Sequence, residues 1–346
     1  MTKLSICIPT YNRAECLANC LNSIRLCNSQ STFRFQVCIS DNNSSDETED
    51  VVRAAQSDLE IKYHKNTSNL GIPRNFLKVV SMADGDFVWL VGDDDLVMPN
   101  AVSDFYALVE AHPNVDFFYA NSYHLNTEYL QKFPSPFDTL NLPQAMKQFS
   151  SWCQAGVLDF FELISPKISF DFLGGMYLSI FRKQNWDRHA HVLDAEALHA
   201  TRTFSHFDNT FPHVKIFASA FASSKAYFNP KPLSVSLTGA REWSPMYPLI
   251  HSVRLIEALG EYRKKGLPYW KYLYCRNYAL NNFIPDLLYI ILNRKTSGYD
   301  YISPIKLLLA NCIYPNFYLS SFYFLGRRFK RIFNRISSRL IEKGSD

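Results

Sequence analysis

The sequence lacks three signatures of common protein classes. None of its eight cysteines forms a Cys-x-x-Cys pair, and five of them fall within the first 40 residues, in apolar or helix-like stretches. This pattern favours buried free thiols in a reducing cytosol over disulfides or a zinc site. No Gly-x-Ser-x-Gly element is present to support a hydrolase triad. No amino-terminal signal peptide is expected, because Lys3 is followed by a short strand pattern that ends at Pro9.

Charge is unevenly distributed along the chain. With 346 residues, 47% of them hydrophobic and 20% charged, the protein can fold around a substantial core. The formal net charge is +4, but residues 326–346 contain seven Lys or Arg against two acids and so contribute +5. Residues 1–325 therefore sum to −1. A basic tail on a nearly neutral body indicates a localised anionic partner and argues against nucleic acid.

The last 40 residues are apolar at first and then basic. The uncharged run 307–326 has the 20 residues that could cross a bilayer of about 30 Å, but its Asn, Pro and Ser residues make it a poor span. From Phe322 to Leu340, apolar residues recur at helical spacing with arginines beside them. This predicts a basic amphipathic helix that lies on an anionic membrane surface. The alternative is a solvated helix that packs its apolar side on the protein.

Hydrophobic periodicity over about the first 120 residues predicts strands that alternate with helices. The predicted strands are Leu4–Thr10, Phe33–Ser40, Ile61–His64, 86–92 and Val115–Ala120, and the predicted helices are Ala14–Cys27, 46–57, 73–83 and Pro99–Ala111. Such alternation implies a mostly parallel sheet, with the loops after strands one, two and four at one edge. Further along, 176–181 is predicted to be a strand, 187–222 helical, 225–237 extended, and the part beyond Pro248 helical and aromatic.

Three consecutive carboxylates follow the fourth predicted strand, in the stretch Asp86-Phe87-Val88-Trp89-Leu90-Val91-Gly92-Asp93-Asp94-Asp95. Open α/β sheets bind ligands at the carboxyl ends of their strands. Carboxylates this close repel one another, and a divalent cation that carries phosphate oxygens would relieve the repulsion. The alternative is an acidic turn, since Asp is common in turns.

Four loop motifs occur in a fixed order after the first four predicted strands. They are Pro9-Thr10-Tyr11-Asn12-Arg13, Asp41-Asn42-Asn43-Ser44-Ser45-Asp46, Asn69-Leu70-Gly71 with Arg74-Asn75, and Asp93-Asp94-Asp95. With these four motifs taken together, residues 1–125 resemble the family 2 glycosyltransferases. The resemblance implies the GT-A nucleotide-sugar fold, an α/β fold with a Rossmann-like, mostly parallel sheet flanked by helices. We divide the chain accordingly into a donor-binding half, 1–125, an acceptor-binding and catalytic half, 126–245, and a helical, membrane-associating region, 246–346.

The resemblance also implies roles for individual residues in binding a nucleotide diphosphate sugar. Asp93 would reach the ribose beside Asp94, and Asp95 would hold Mg2+ or Mn2+ against the pyrophosphate. Pro9 and Tyr11 would line the base pocket, with Arg13 nearby. Asp41 would accept a hydrogen bond from the base, and Arg74 would lie near the base or the phosphates. Tyr11 has the alternative of a packed aromatic ring, and Arg74 that of a helix surface charge.

Family 2 enzymes resemble one another in direct displacement with inversion, which needs a base for the acceptor hydroxyl. The acidic pair that usually supplies it in the second half is absent, and Asp208 is the nearest equivalent, with a helix cap as its alternative. The competing carboxylates are Asp194, Glu196 and Glu242. The Gln-x-x-Arg-Trp element of processive synthases is missing, and Arg241-Glu242-Trp243 resembles it only weakly. We therefore expect transfer of one sugar per encounter.

Five histidines cluster in the second half, at 189, 191, 199, 206 and 213. Their spacing fits no common metal-ligand pattern, and His189 and His191 are expected on different sides of a helix. We therefore interpret the group as surface or acceptor-site polar residues.

The two opening motifs look like those of the bacterial abequosyltransferase-type subgroup. That resemblance implies a dideoxyhexose such as abequose, a polyprenyl diphosphate-linked O-antigen oligosaccharide as acceptor, and a cytoplasmic enzyme peripheral on the inner membrane. Two alternatives remain. A nucleotidyltransferase acting on sugar phosphates would need a glycine-rich phosphate loop, and Pro9–Arg13 has no glycine. A non-catalytic membrane scaffold would not need the aspartates.

Overall fold

The computed structural model of the protein describes residues 3–29, 33–200, 202–239 and 243–327. These residues form two compact units. Unit 1 comprises Met1–Glu242 with Lys264–Leu267, and unit 2 comprises Trp243–Arg263 with Pro268–Asp346. The division of the chain into three functional parts stays a prediction.

Unit 1 begins with strands and helices in strict alternation. In chain order the elements are β1 Leu4–Thr10, α1 Ala14–Ser29, β2 Phe35–Asp41, α2 Thr48–Ala55, β3 Ile61–Lys65, α3 Ile72–Met82, β4 Phe87–Leu90, β5 Asp95–Val97, α4 Ala101–Ala111 and β6 Phe117–Asn126. These bounds agree with the predicted elements to within about two residues at most ends, a usual margin for boundaries. The short strand β5 was not predicted, because three residues carry too little periodicity.

The rest of unit 1 is more broken. Its elements are α5 Thr127–Leu130, β7 Lys147–Gln148, β8 Gly156–Asp159, β9 Ser179–Arg182, α6 Lys183–His189, α7 Ala195–His199, α8 Phe207–Thr210, α9 Pro212–Ala220 and β10 Lys225–Thr238. The continuous helix predicted over 187–222 is therefore wrong, since four short helices and a 3₁₀ turn at Ala190–Val192 occupy that stretch. Pro212 starts a new helix at the last of these breaks, as expected for proline in a first helical turn.

A single sheet joins all ten strands in the order β3-β2-β1-β4-β9-β6-β10-β5, with β7 on β6 and β8 on β10. The first four strands are parallel, and Thr10 pairs with Asp41 at the carboxyl ends of β1 and β2. Strand β9 runs antiparallel between β4 and β6. The result is a mixed sheet whose first four strands are parallel, with the loops that follow them at one edge.

Both faces of the sheet are covered by helices. On one face Ile6, Ile8 and Trp89 belong to a core cluster with residues of α1, α2 and α4. On the other face Phe117 and Phe181 each lie 5.1 Å, between ring centroids, from Phe217 of α9. Edge-to-face contacts of this kind favour a fixed packing of α9 on the sheet.

Unit 2 is helical. Its elements are α10 Tyr247–Leu249, a π-helical turn Ile250–Arg254, α11 Leu255–Lys264, α12 Tyr269–Ala279, α13 Phe283–Leu292, α14 Pro304–Asn311 and a further helix over 315–327. The core is formed by Leu280, Phe283, Leu287 and Tyr314. Within the described ranges, no helix has the length and apolar character to span a bilayer. Most of the predicted basic helix Phe322–Leu340 lies outside the described residues.

Two expectations for the histidines are wrong. The rings of His189 and His191 stack with their centroids 6.4 Å apart, because the chain changes from α-helix to a 3₁₀ turn between them. His213 is not a surface residue: it is only 3% exposed, lies against Phe76, Phe211 and Phe217, and its Nε2 is 3.1 Å from the carbonyl oxygen of Gly174. Burial lowers the pKa of His213 to about 4.

We expect His213 to make the protein less stable as the pH falls from about 6.5 to 4. The unfolded chain takes up the proton at the ordinary pKa of about 6.5, whereas the folded protein resists it until about 4, so protonation favours unfolding in that window. His213 alone should lower the free energy of unfolding by about 3 kcal/mol, whereas the buried carboxyl of Asp93, whose pKa is raised to about 6, acts in the opposite direction over part of the same window. Chemical denaturation at several pH values measures this.

His213→Gln, which can still donate to Gly174, isolates this contribution: between pH 6.5 and 4 the variant should gain about 3 kcal/mol relative to the wild type. The exposed residue His64 provides the control, and His64→Gln should leave the pH dependence as in the wild type. An unchanged slope in His213→Gln would contradict the assignment.

Candidate functional site

The loops after β1 and β2 are bonded into one framework at the carboxyl edge of the sheet. The Asn42 N–H donates to the Thr10 carbonyl at 2.9 Å. The Asn12 N–H donates to Ser44 Oγ at 2.8 Å, and the Ser45 N–H donates to Asn12 Oδ1 at the same distance. Asn12 has a φ of 50°, a left-handed conformation that Asn tolerates better than most residues. This framework fixes the backbone from which Tyr11 and Arg13 project.

The predicted aspartates meet this framework. Asp93 accepts a hydrogen bond from the Thr10 hydroxyl at 2.9 Å and lies 3.0 Å from Nη1 of Arg13. The same Nη1 lies 3.3 Å from Oδ2 of Asp94. Burial, reinforced by the charge of Asp94, raises the pKa of Asp93 to about 6, although Arg13 and the Thr10 hydroxyl oppose the rise. The structure thus brings Arg13, Asp93 and Asp94 together, and the nucleotide-binding roles expected of them stay predictions.

Asp95 begins β5 and is held by a tight turn. Its N–H donates to the Gly92 carbonyl at 3.1 Å, and its Oδ2 accepts from the Gly92 N–H at 3.2 Å. A Cβ at position 92 would lie 2.8 Å from Oδ1 of Asp94 and 2.9 Å from Oδ2 of Asp95. Gly92 is therefore required for the two carboxylates to approach the backbone, a role that the sequence analysis did not assign.

The three carboxylates are all buried, with exposures of 6%, 8% and 2% for Asp93, Asp94 and Asp95. In the part of the chain that the structure describes, no three acidic, histidine or cysteine side chains converge to form a metal cage of their own. The carboxylate oxygens of these residues still suit Mg2+ or Mn2+, because such ions take one or two protein carboxylates as ligands and complete their coordination shell with phosphate oxygens and water.

Asp41 lies fully buried at the end of β2. Its Oδ1 accepts from the Ser44 N–H at 2.8 Å and its Oδ2 from the Tyr63 hydroxyl at 2.7 Å. Burial and this bond raise the pKa of Tyr63 well above its usual range. Tyr63 was not predicted, because the third strand carries no motif of its own.

An amide network fixes the loop after β3. Asn42 Nδ2 donates to Asn69 Oδ1 at 2.8 Å, and its own Oδ1 accepts from the Leu70 N–H at 2.7 Å. Asn75 donates to the Ser40 carbonyl at 2.9 Å and accepts from the Ser40 hydroxyl at 2.7 Å. This network positions the start of α3 beside the first two loops.

Three further predicted site residues are exposed or partly exposed beside this framework. Tyr11 is 43% exposed, which does not fit the alternative of a packed aromatic ring. Arg74 is partly exposed on α3, and its Nη1 lies 3.4 Å from Nδ1 of His199. Pro9 is partly exposed near the end of β1.

Asp208 lies on α8 and is 5% exposed. Its Oδ2 accepts from the Asp194 N–H and from Nζ of Lys215, both at 2.6 Å. His206 and not Asp208 precedes α8, so the alternative of a helix cap is not what the structure shows. Of the competing carboxylates, Asp194 caps α7, Glu196 is exposed, and Glu242 lies outside the described residues together with Arg241.

Comparison with known proteins places this geometry in a family. Residues 5–160 match the family model described as glycosyl transferase family 2. Abequosyltransferase RfbV of Salmonella typhimurium is 31% identical over 226 residues, which cover 63% of this chain and 61% of that protein. A GalNAc(5)-diNAcBac-PP-undecaprenol beta-1,3-glucosyltransferase of Campylobacter jejuni is 36% identical over 105 residues, 30% of this chain and 33% of that protein. The chain thus matches less than two thirds of either relative.

Two solved structures share the fold. TarS 1–349 of S. aureus, in complex with UDP, superposes with a TM-score of 0.50 at 18% identity, covering 82% of this chain and 72% of that one. The mannosyltransferase PcManGT of Pyrobaculum calidifontis, in complex with GDP-Man and Mn2+, superposes with a TM-score of 0.51 at 14% identity, covering 96% and 88%. The fold expectation is confirmed: the chain has a GT-A-like fold, and residues 5–160 within it are similar to the family 2 glycosyltransferases.

Proposed function

We propose that this protein transfers a single sugar from a nucleoside diphosphate sugar to an acceptor hydroxyl, with inversion at the sugar carbon. The observation that carries the proposal is the buried group of Asp93, Asp94 and Asp95 at the end of β4, joined to Thr10 and Arg13. Carboxylates buried this close together repel one another, and a bound cation that carries phosphate oxygens would relieve that repulsion.

The donor nucleotide would occupy the edge formed by the first three loops. Tyr11 exposes a ring that can stack on a base, beside Pro9 and Arg13. Asp41 is held in one orientation by Ser44 and Tyr63, which suits a residue that must accept a hydrogen bond from the base. Arg74, partly exposed on α3, would supply positive charge near the base or the diphosphate.

Asp95, with Asp93 and Asp94 beside it, would hold the Mg2+ or Mn2+ that the fold family implies. When bound, the metal supplies Lewis-acid neutralisation of the departing diphosphate. The chain's own contribution is to fix Asp95 through Gly92, so that its carboxylate needs no reorganisation when the donor arrives.

Asp208 is our candidate for the base that takes the proton from the acceptor hydroxyl. Its Oδ2 is held by two donors, the Asp194 N–H and Lys215, which fixes the carboxylate and directs proton uptake to Oδ1. The same contacts also fit a purely structural ion pair, so Asp208 and Lys215 need a direct test.

The acceptor is proposed to be a polyprenyl diphosphate-linked oligosaccharide of a surface polysaccharide, and the sugar a dideoxyhexose such as abequose. The support is the likeness to abequosyltransferase RfbV and to a glucosyltransferase named for an undecaprenol-linked substrate. A position on the inner face of the membrane, with the basic helix of the tail on anionic lipid, suits such an acceptor.

Nucleoside diphosphates should raise the melting temperature of the protein only when Mn2+ is present. The preferred one, among UDP, GDP, CDP, ADP and dTDP, should raise it by about 3 °C or more at saturation, because ligands that bind only the folded state stabilise it. Differential scanning fluorimetry measures this. No response to any of them would contradict a nucleotide-sugar site.

Asp95→Asn should lower the rate of sugar transfer about a hundredfold or more, because a neutral amide holds the metal poorly. Radiolabel transfer from the preferred donor to a lipid extract measures the rate. Asp84→Asn provides the matched control, since Asp84 precedes the opposite, amino end of β4 and is largely exposed. Full activity in Asp95→Asn would favour a scaffold.

Asp208→Asn should lower kcat by about a hundredfold or more, if Asp208 acts as the base. Lys215→Gln breaks the same ion pair, so both variants should lose comparable thermal stability. Only Asp208→Asn should lose transfer while keeping donor binding in the fluorimetric assay. Equal losses of activity in the two variants would instead identify a structural pair.

A further inference from the structure

Unit 2 exposes an unusual amount of apolar surface near its carboxyl end. Among the described residues, 21 large hydrophobic side chains are exposed, and 12 of them fall within 288–325. Scattered exposed hydrophobic residues are normal, but a concentration of them marks an interaction site.

Each helix of this region is apolar on two sides. In α14, Leu307 and Leu308 pack into the core of unit 2, while Ile305 and Leu309, one turn apart, are both 70% exposed. A helix that only had to pack on its own unit would need one apolar side.

The same arrangement recurs in two more helices. In 315–327, Phe317 packs on Phe283, while Tyr318 and Phe322, one turn apart, are 60% and 71% exposed. In α13, Leu287 is buried while Leu288 and Leu292 are 54% and 81% exposed. We call Leu288, Leu292, Ile305, Leu309, Ile313, Tyr318 and Phe322 the apolar surface.

The positive charge of the sequence around the apolar surface indicates which kind of partner it binds. From 301 to 341 the chain has seven Lys or Arg and not one Asp or Glu. A second copy of the chain would bring the same positive charge against this surface and be repelled. An anionic lipid surface offers both an apolar interior and negative head groups, and each Lys or Arg near it adds attraction.

We propose that the apolar surface inserts into the interface of an anionic phospholipid bilayer, so that the folded helices of unit 2 anchor the protein and not only the basic tail. Aromatic and aliphatic side chains reach the boundary of the acyl chains, and the basic residues bind the head groups. The proposal deepens the proposed function, because a lipid-linked acceptor is presented at such a bilayer.

Flotation of the full chain with vesicles of phosphatidylglycerol and phosphatidylcholine tests the anchor. High salt screens the basic tail, with a Debye length of about 3 Å at 1 M, so the part of binding that survives high salt reports the apolar surface. Leu309→Gln combined with Phe322→Gln removes apolar contact without adding charge. This variant should lower the salt-resistant partition about tenfold or more.

Leu140→Gln is the matched control, since Leu140 is 76% exposed in unit 1 and lies outside the apolar surface. It should float like the wild type, and all variants should melt at the same temperature. Wild-type flotation by the double variant at high salt would overturn the proposal. So would a concentration-dependent dimer, seen by light scattering, that the double variant dissociates.

The assay contains neither donor nor acceptor, so it separates this proposal from sugar transfer. Asp95→Asn should float normally while losing transfer. A wild-type protein that floats but transfers no sugar would refute the proposed function and leave the anchor intact.

Discussion

Mutual repulsion among Asp93, Asp94 and Asp95 is the constraint on which the site depends. Three carboxylates buried at one strand end are unstable without compensation, and burial together with Asp94 already raises the pKa of Asp93 to about 6. Thr10, the last residue of β1, and Arg13, from the loop after it, both contact Asp93 and offset this repulsion. The first and fourth strands are therefore coupled by charge as well as by pairing in the sheet.

Hydrogen bonds from the loops after β2 and β3 fix the conformation of the loop after β1. Asn12 is bonded to Ser44 and Ser45, and Asn42 reaches back to Thr10 and forward to Asn69. Asparagine suits these positions because its side chain can bond neighbouring backbone groups and its backbone tolerates left-handed angles. The result is a preorganised edge, which is what a site for a flexible diphosphate donor requires.

The helices of unit 2 differ from those of unit 1 in having two apolar sides. They bury one apolar side in a shared core and expose another, and acidic residues are absent from 301 to 341. The carboxylates of unit 1 and the cations that follow position 300 are thus segregated along the chain. Such segregation suits a protein that binds a charged donor at one place and an anionic surface at another.

The sequence by itself determined the alternating elements, the parallel first four strands of the sheet and the four loops, because each rests on local periodicity or on short turn motifs. It could not predict the roles of Tyr63, Gly92 or Lys215, because no local pattern signals their contacts. Tyr63 contacts Asp41, Gly92 lies against the carboxylates of Asp94 and Asp95, and Lys215 contacts Asp208. The sequence analysis also missed the breaks within 187–222 and the burial of His213. The residues next to a histidine in the sequence do not show which distant side chains will pack against it. Tertiary structure decided those points because packing and desolvation depend on neighbours that only the folded chain brings together.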